Sequence, residues 1–301
     1  MQDKCVIGID IGGTHFRIGA VSPDCQVHAF RKISVTELFR SSDPLEDLKD
    51  YLNTYMEENE LSEKIKAISI GFPATLNRER TIVLQAPNIG YMENLPVVDY
   101  LKKYFGIPVF IDRDVCMTLH YDMRQLGIPK EGILIGCYFG TGIGNVICID
   151  GQLLFGKNGV TGELGHIPVL GSEELCGCGN SGCMENLAGG KYLAKLCKEI
   201  YTDTPIADIF TQHGSEKLLQ DFVERIAITV ATEINILDPH YILIGGGVPN
   251  MKDFPKGRLE EMIRRHTRKP YPERGLHLFF VGDTDIKSVV GAGIYAVEQM
   301  M

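Results

Sequence analysis

One unit that occurs twice constrains this chain more than anything else in it: an apolar strand, a turn made of glycines, and a second apolar stretch. Residues 5–9 read CVIGI, run into DIGGT at 10–14 and continue as FRIGAV at 16–21. More than a hundred residues later ILIGCYF at 133–139 runs into GTGIG at 140–144 and then NVICID, with Asp150-Gly151 as a hairpin signal before QLLF. Two such units so far apart predict two related lobes, each built on a mixed sheet that touches the other around a cleft.

The stretches around these units alternate helix and strand. Asp43-Pro44 opens a helix to about Glu60, AISIGF at 67–72 and IPVFI at 107–111 read as strands, and apolar residues at helical spacing run from about Glu216 to Leu237. YILIGGG at 241–247 is a strand closed by three glycines, and the residues from Ser288 on read as a helix in which Gly291 and Gly293 allow close packing. That alternation makes the class α/β. The expected division is a first lobe over 1–115, with 288–301 packing back on it, and a second lobe over 116–287.

Composition removes several functions. The 301 residues carry a formal net charge of -9, so no broad basic footprint exists for nucleic acid or an anionic membrane. The longest uncharged run, 135–149, is broken by four glycines and falls short of a membrane span. Asp3, Lys4 and Asp10 interrupt any apolar leader, so the expected location is cytoplasmic.

The glycine turns suit phosphate. In Asp10-Ile11-Gly12-Gly13-Thr14, backbone N–H groups can approach an anion with no Cβ in the way, and Asp10 beside them suits Mg2+. Gly140, Thr141, Gly142 and Gly144 form a second such turn, and Gly245, Gly246 and Gly247 offer a flat surface for adenine or ribose. A tight hairpin is the alternative for each turn taken alone. Phosphoryl transfer also needs a carboxylate that orients the attacking hydroxyl and accepts its proton. Asp114, at the end of the IPVFI strand, is the candidate, and Asp112 offers a second carboxylate; a helix N-cap is the plainer alternative for either.

Six of the nine cysteines, Cys5, Cys25, Cys116, Cys137, Cys148 and Cys197, are scattered singly and read as small core residues. The other three fall in CGCGNSGCMENLAGG at 176–190. Its GCGNSG spells a dinucleotide fingerprint, yet no apolar strand precedes it, so that reading fails its context test. In a reducing compartment Cys176, Cys178 and Cys183 are metal ligands rather than disulfides.

Taken together these motifs resemble the ROK family, which joins repressors, open reading frames and sugar kinases. The resemblance runs over nearly the whole chain: DIGGT at 10–14, GFPA at 71–74, APN at 86–88, RDV at 113–115, GTGIG at 140–144, GELGH at 162–166, CGCGNSGCMEN at 176–186 and DPHYILIGGG at 238–247. It implies a two-lobed, duplicated ribonuclease H-like fold of the actin and hexokinase type. It further implies that Asp114 is the general base, that the first two glycine turns hold Mg-ATP phosphates, and that Gly245, Gly246 and Gly247 border the adenosine. The implied sugar pocket is Asn88, Asp114, Glu163, His166 and Glu185.

With His166, the three cysteines make the closed Cys3His set that structural Zn2+ prefers. Such an ion would fix Glu163 and Glu185, and His166 could bind it through one nitrogen and donate to a sugar hydroxyl through the other. Where the family often has D-N-D, this chain has Asp112-Arg113-Asp114, and an expected asparagine two residues on is Cys116. The Arg113-Asp114 pair, with GELGHIP and DFP at 253–255, looks more like the D-allose kinases than the glucokinases or N-acetylmannosamine kinases, so the implied reaction is ATP-dependent phosphorylation of an aldohexose, D-allose, on its 6-hydroxyl. A glucokinase, an N-acetylmannosamine kinase and a non-catalytic sugar-binding protein are the alternatives. A repressor of this family carries a winged helix before its first glycine turn, for which the nine residues ahead of Asp10 leave no room. Family members are often dimers, so a homodimer is one state the resemblance allows.

Overall fold

The computed structural model describes residues 4–87, 89, 90 and 92–301. It divides into two compact units, Met1–Gly127 with Phe155–Thr161 and Thr284–Met301, and Ile128–Leu154 with Gly162–Asp283.

The first unit is organised by β1 (Cys5–Ile11), buried along its whole length, which is why it reads as an unbroken apolar run up to Asp10. On one side β2 (His15–Val21) and then β3 (Val27–Ser34) pair antiparallel. The helices α1 (Val35–Leu38) and α2 (Pro44–Glu58) follow. Asp43 caps α2 by accepting from the Leu45 and Glu46 amides, both at 3.2 Å, and Pro44 needs no partner for a missing N–H. On the other side of β1, β4 (Ile65–Phe72) pairs parallel. A small antiparallel sheet of β5 (Thr75–Leu76), β6 (Val83–Gln85) and β7 (Glu93–Leu95) leads to α3 (Val97–Phe105). The strand β8 (Val109–Arg113) then pairs parallel with β4 and runs without a break into α4 (Asp114–Leu126). The sheet order is β3-β2-β1-β4-β8.

The second unit repeats the plan. Its central strand β9 (Ile133–Phe139) pairs antiparallel with β10 (Ile143–Ile149), which pairs with the short β11 (Gln152–Leu153). After α5 (Glu185–Ala188), α6 (Gly190–Glu199), α7 (Ile209–His213) and α8 (Lys217–Leu237), β12 (Tyr241–Gly245) pairs parallel with β9. The helix α9 (Lys256–His266) precedes β13 (His277–Phe280), giving the order β11-β10-β9-β12-β13. One face of α8, with Leu219, Phe222, Ile226, Val230 and Ile234 fully buried, fills the core under this sheet.

Two boundaries differ from the sequence expectation. The strand expected at 107–111 extends to Arg113, because its parallel pairing with β4 continues as far as Phe72↔Arg113. A lobe boundary at 115 would therefore cut α4 just after its start, and the first unit instead keeps α4 to Gly127. There α4 lies against the last helix, α10 (Lys287–Gln299), which also covers β1, β2 and β4. The approach is tight: a Cβ on Gly8 would stand 2.1 Å from the Val289 carbonyl oxygen, and one on Gly291 1.8 Å from that of Met117.

Candidate active site

In the first unit the candidate carboxylates gather at one edge of the sheet. The pairings Asp10↔Gly71 and Gly71↔Asp112 put β1, β4 and β8 in line at the ends of three parallel strands. Gly71, from the GFPA segment, has a structural reason to be glycine: a Cβ there would meet Asp114 Cα at 3.2 Å and Met117 Cγ at 3.0 Å. Asp10 is buried, and its Oδ2 lies 2.9 Å from Arg17 Nη1, which comes from the opposite position on β2. The Gly12 amide donates to the His15 carbonyl at 2.8 Å and closes the turn, while Gly13 and Thr14 are exposed at its tip.

Asp114 is the first residue of α4, and its Oδ1 accepts from the Val115 amide at 2.8 Å. Burial and the nearby negative charge of Asp10 push its pKa up to about 7, against the opposing pull of that amide and of Arg113. Asp112, the second carboxylate offered by the sequence, is engaged elsewhere. It is fully buried, its Oδ1 accepts from the Arg113 amide at 2.7 Å, and it pairs with Arg80, a residue with no local motif to mark it. Asn88 lies outside the described residues.

In the second unit the turn at 140–144 is held from the helical side. Gly190, the first residue of α6, donates to the Gly140 carbonyl at 2.7 Å and Lys191 to that of Thr141 at 3.0 Å. Glu185 Oε2 accepts from the Ile143 amide at 3.0 Å, and a Cβ on Gly142 would stand 2.0 Å from that oxygen. One oxygen of Glu185 is thus engaged in holding the glycine turn. The Gly189-Gly190 pair was visible in the sequence, but nothing local marked the turn as its partner. At the end of the neighbouring β12, Gly246 takes φ +92, and a Cβ there would meet the Phe139 carbonyl oxygen at 2.5 Å; a Cβ on Gly247 would meet nothing within 4 Å. The two glycine segments therefore share one sheet edge, as their strands are paired in parallel.

The GELGH segment is anchored by a buried polar group. Glu233 on α8 accepts from Asn145 Nδ2 at 2.8 Å and from Cys137 Sγ at 3.4 Å, and burial raises its pKa to about 7 despite those donors. A Cβ on Gly162, at φ +86, would stand 2.7 Å from the Asn145 carbonyl oxygen, so the chain leading into Glu163 lies directly against Asn145.

His166, Cys176, Cys178 and Cys183 come together with one ligand atom each, all within 4.8 Å of one another. Tetrahedral Zn2+, with bonds of about 2.3 Å to sulfur and 2.0–2.1 Å to nitrogen, has S···S edges of about 3.8 Å and S···N edges of about 3.6 Å. Cys178 Sγ and Cys183 Sγ are 3.7 Å apart, and Cys176 Sγ and His166 Nδ1 3.6 Å. The donor set and these edges fit zinc. Nδ1 is the nitrogen turned to the thiols, and Nε2 faces Glu163 Oε2 at 3.5 Å.

Two mixed five-stranded sheets of one plan, each with glycine turns at a strand-end edge, define the two-lobed α/β sugar-kinase fold. A ROK family glucokinase from Streptomyces griseus, solved with glucose and AMPPNP, superposes with TM-score 0.77 at 23% identity, covering 98% of this chain and 99% of that one. A ROK family transcriptional regulator, a homologue of the E. coli MLC protein, gives TM-score 0.83 at 23% identity, covering 97% and 78%. These likenesses concern the fold.

The chain belongs to the ROK family, whose model matches residues 6–299. Streptomyces coelicolor glucokinase is 31% identical over 282 residues, 86% of this chain and 87% of its own. The N-acetyl-D-glucosamine kinase of Haemophilus influenzae is 28% identical over 268 residues, 81% and 84% of the two chains.

Proposed function

We propose that the protein is an ATP-dependent sugar kinase that phosphorylates the 6-hydroxyl of an aldohexose. The observation that carries the reading is Asp114: a carboxyl with a pKa near 7, at the head of a helix and at the same strand-end edge as Asp10. A base so tuned accepts a hydroxyl proton at neutral pH, and positioning supplies most of the remaining rate in phosphoryl transfer. Asp10, a hard oxygen donor beside the first glycine turn, would hold Mg2+, which neutralises phosphate charge when bound. The backbone amides of the turns at 10–14 and 140–144 are assigned to ATP phosphates, and Gly245, Gly246 and Gly247 to the adenosine.

The sugar is assigned to Asn88, Asp114, Glu163, His166 and Glu185. Zinc on His166, Cys176, Cys178 and Cys183 would have a structural role, since four protein ligands leave no open position. The GELGH segment would then present Glu163 and His166 Nε2 from a rigid base. The reducing cytoplasm suits such a thiolate set.

D-Allose is the proposed substrate, on the strength of the Arg113-Asp114 pair with GELGHIP at 162–168 and DFP at 253–255. D-Glucose is the second reading, supported by the glucokinases among the relatives. The test is ADP release with Mg-ATP across D-allose, D-glucose, D-mannose, N-acetyl-D-mannosamine and N-acetyl-D-glucosamine. A kcat/KM for D-allose about tenfold or more above the others is expected, because a buried group left without its hydroxyl partner penalises the epimer. A preference for another sugar discards the D-allose assignment and keeps the mechanism; sugar binding without ADP formation discards the kinase.

A further inference from the structure

Arg80 lies between β5 and β6 in the first unit, only 7% exposed, and four groups surround its guanidinium, one of them the Asn77 carbonyl, which accepts from Nη1 at 3.4 Å. Nε stands 3.1 Å from Asp112 Oδ1, Nη1 donates to the Gly159 carbonyl at 3.0 Å, and the guanidinium carbon lies 4.3 Å from the centre of the Phe155 ring. Phe155 and Gly159 belong to Phe155–Thr161, a strap that lies in the first unit although Leu154 and Gly162 on either side of it lie in the second. The strap is shaped around the arginine. Gly159 is buried at φ +75, and a Cβ there would stand 3.0 Å from Arg78 Cα and 3.1 Å from Arg80 Nη1.

Stability does not account for this arrangement. Burying a guanidinium and a carboxylate strips both of water, and such a pair often contributes no more than well-packed apolar residues of the same volume. Here the pairing is also incomplete: Arg80 Nε and Nη2 and Asp112 Oδ2 are buried and make no hydrogen bond among the described residues, so Nε and Asp112 Oδ1 are joined as an ion pair alone. What the arginine does supply is a rigid planar fork that holds two backbone segments at once. One is the end of β8, where Asp112 Oδ1 also accepts the Arg113 amide and the next residue is Asp114. The other is the strap, whose chain continues directly into Gly162, Glu163 and His166.

We propose that Arg80 is a positioning residue for phosphoryl transfer, holding through Asp112 the strand end that presents Asp114 and through Gly159 and Phe155 the strap that leads into the sugar-binding segment. The proposal rests on the kinase reading above. It differs from a merely structural role in what it moves: turnover and sugar affinity, at constant fold.

The test compares Arg80→Met, Arg80→Lys and Phe155→Leu with the unaltered protein. Three readouts are taken: steady-state kinetics, zinc content, and the rate of tryptic cleavage after Lys157, an exposed residue of the strap. In Arg80→Met, with zinc content unchanged, kcat is expected to fall about tenfold or more, as misplacement of a reacting group does. The sugar KM rises, and the KM for Mg-ATP stays within about twofold, as for an interaction that the nucleotide does not share. Cleavage after Lys157 accelerates about tenfold as the strap opens locally. Arg80→Lys, which keeps a cation but loses the fork, recovers part of kcat. Phe155→Leu, altered from the strap side, speeds cleavage and raises the sugar KM.

Unchanged kcat and sugar KM in folded Arg80→Met, or unchanged cleavage after Lys157, overturns the proposal. If Arg80→Met does not fold, Phe155→Leu decides by the same two measures. If the unaltered protein turns over no sugar, the kinase reading fails instead, and the cleavage rate alone decides whether Arg80 holds the strap.

Discussion

At Asp114 two effects act on one carboxyl in the same direction. Burial disfavours the charged form, and so does the negative charge of Asp10, so the pKa rises to about 7 from an ordinary value of 3.8. As a base the group must be ionised, so kcat/KM should fall below about pH 7, roughly tenfold per unit. Asp10→Asn should move that limb to lower pH in whatever activity remains; a pH–rate profile checks both. The same shift has a sign for stability. A carboxyl whose pKa is raised in the fold favours the fold fully when protonated, below its ordinary value, and loses that contribution as pH rises through about 7. Asp114→Asn removes the burden. It should melt higher than the unaltered protein at pH 8, by about 2–4 °C for each kcal/mol of stability gained, and the two should converge near pH 4. Turnover should be lost while zinc is retained.

Among the elements, the crossing of α10 over α4 and β1 is the most sensitive to a single methyl group. The Cβ of Gly291→Ala would fall 1.8 Å from the Met117 carbonyl oxygen, a backbone atom that can move only with its helix. The substitution should destabilise the first unit by about 1–3 kcal/mol, read from denaturant unfolding. Elements of this kind were largely legible. Apolar runs closed by glycines marked β1, β2, β9 and β10, an Asp-Pro pair marked the start of α2, and helical spacing marked α8. The small sheet of β5, β6 and β7 was not, because strands of two or three residues are too short to show a period. The His166, Cys176, Cys178 and Cys183 cluster was legible because three of the four lie within eight residues of sequence. The pairing of Arg80 with Asp112, and of Gly190 with the turn at Gly140, was not, since each joins residues far apart in the chain and neither partner has a local signature.

For the molecule as a whole, each unit has its own buried core, one assembled around Ile7, Phe16, Leu52 and Ile68, the other around Phe139, Phe222, Ile226 and Ile244. The four residues that could hold a metal all belong to the second. Cys178→Ser should therefore lose the zinc, expected at one ion per chain, and should lower hydrogen-exchange protection in the second unit while β1 and β4 keep theirs. Equal loss in both units would show instead that the two cores unfold together. The duplication was legible at this scale from the repeated glycine unit. The interleaving of the units was not, because nothing in residues 155–161 announces that they leave the sheet they have just followed.

The placement of α10 also orders events on the ribosome. Most of the first unit precedes the second in the chain, yet its central strand lacks the cover of α10 until Lys287–Gln299 has been made, and Gly8 is shaped to receive the Val289 carbonyl. Every residue of the second unit is in place by Asp283. At about 5–20 residues per second, synthesis separates β1 from its covering helix by tens of seconds. The unit whose first strand is translated early is thus the unit that closes last, and during that interval β1 is without the helix that packs on it in the finished fold.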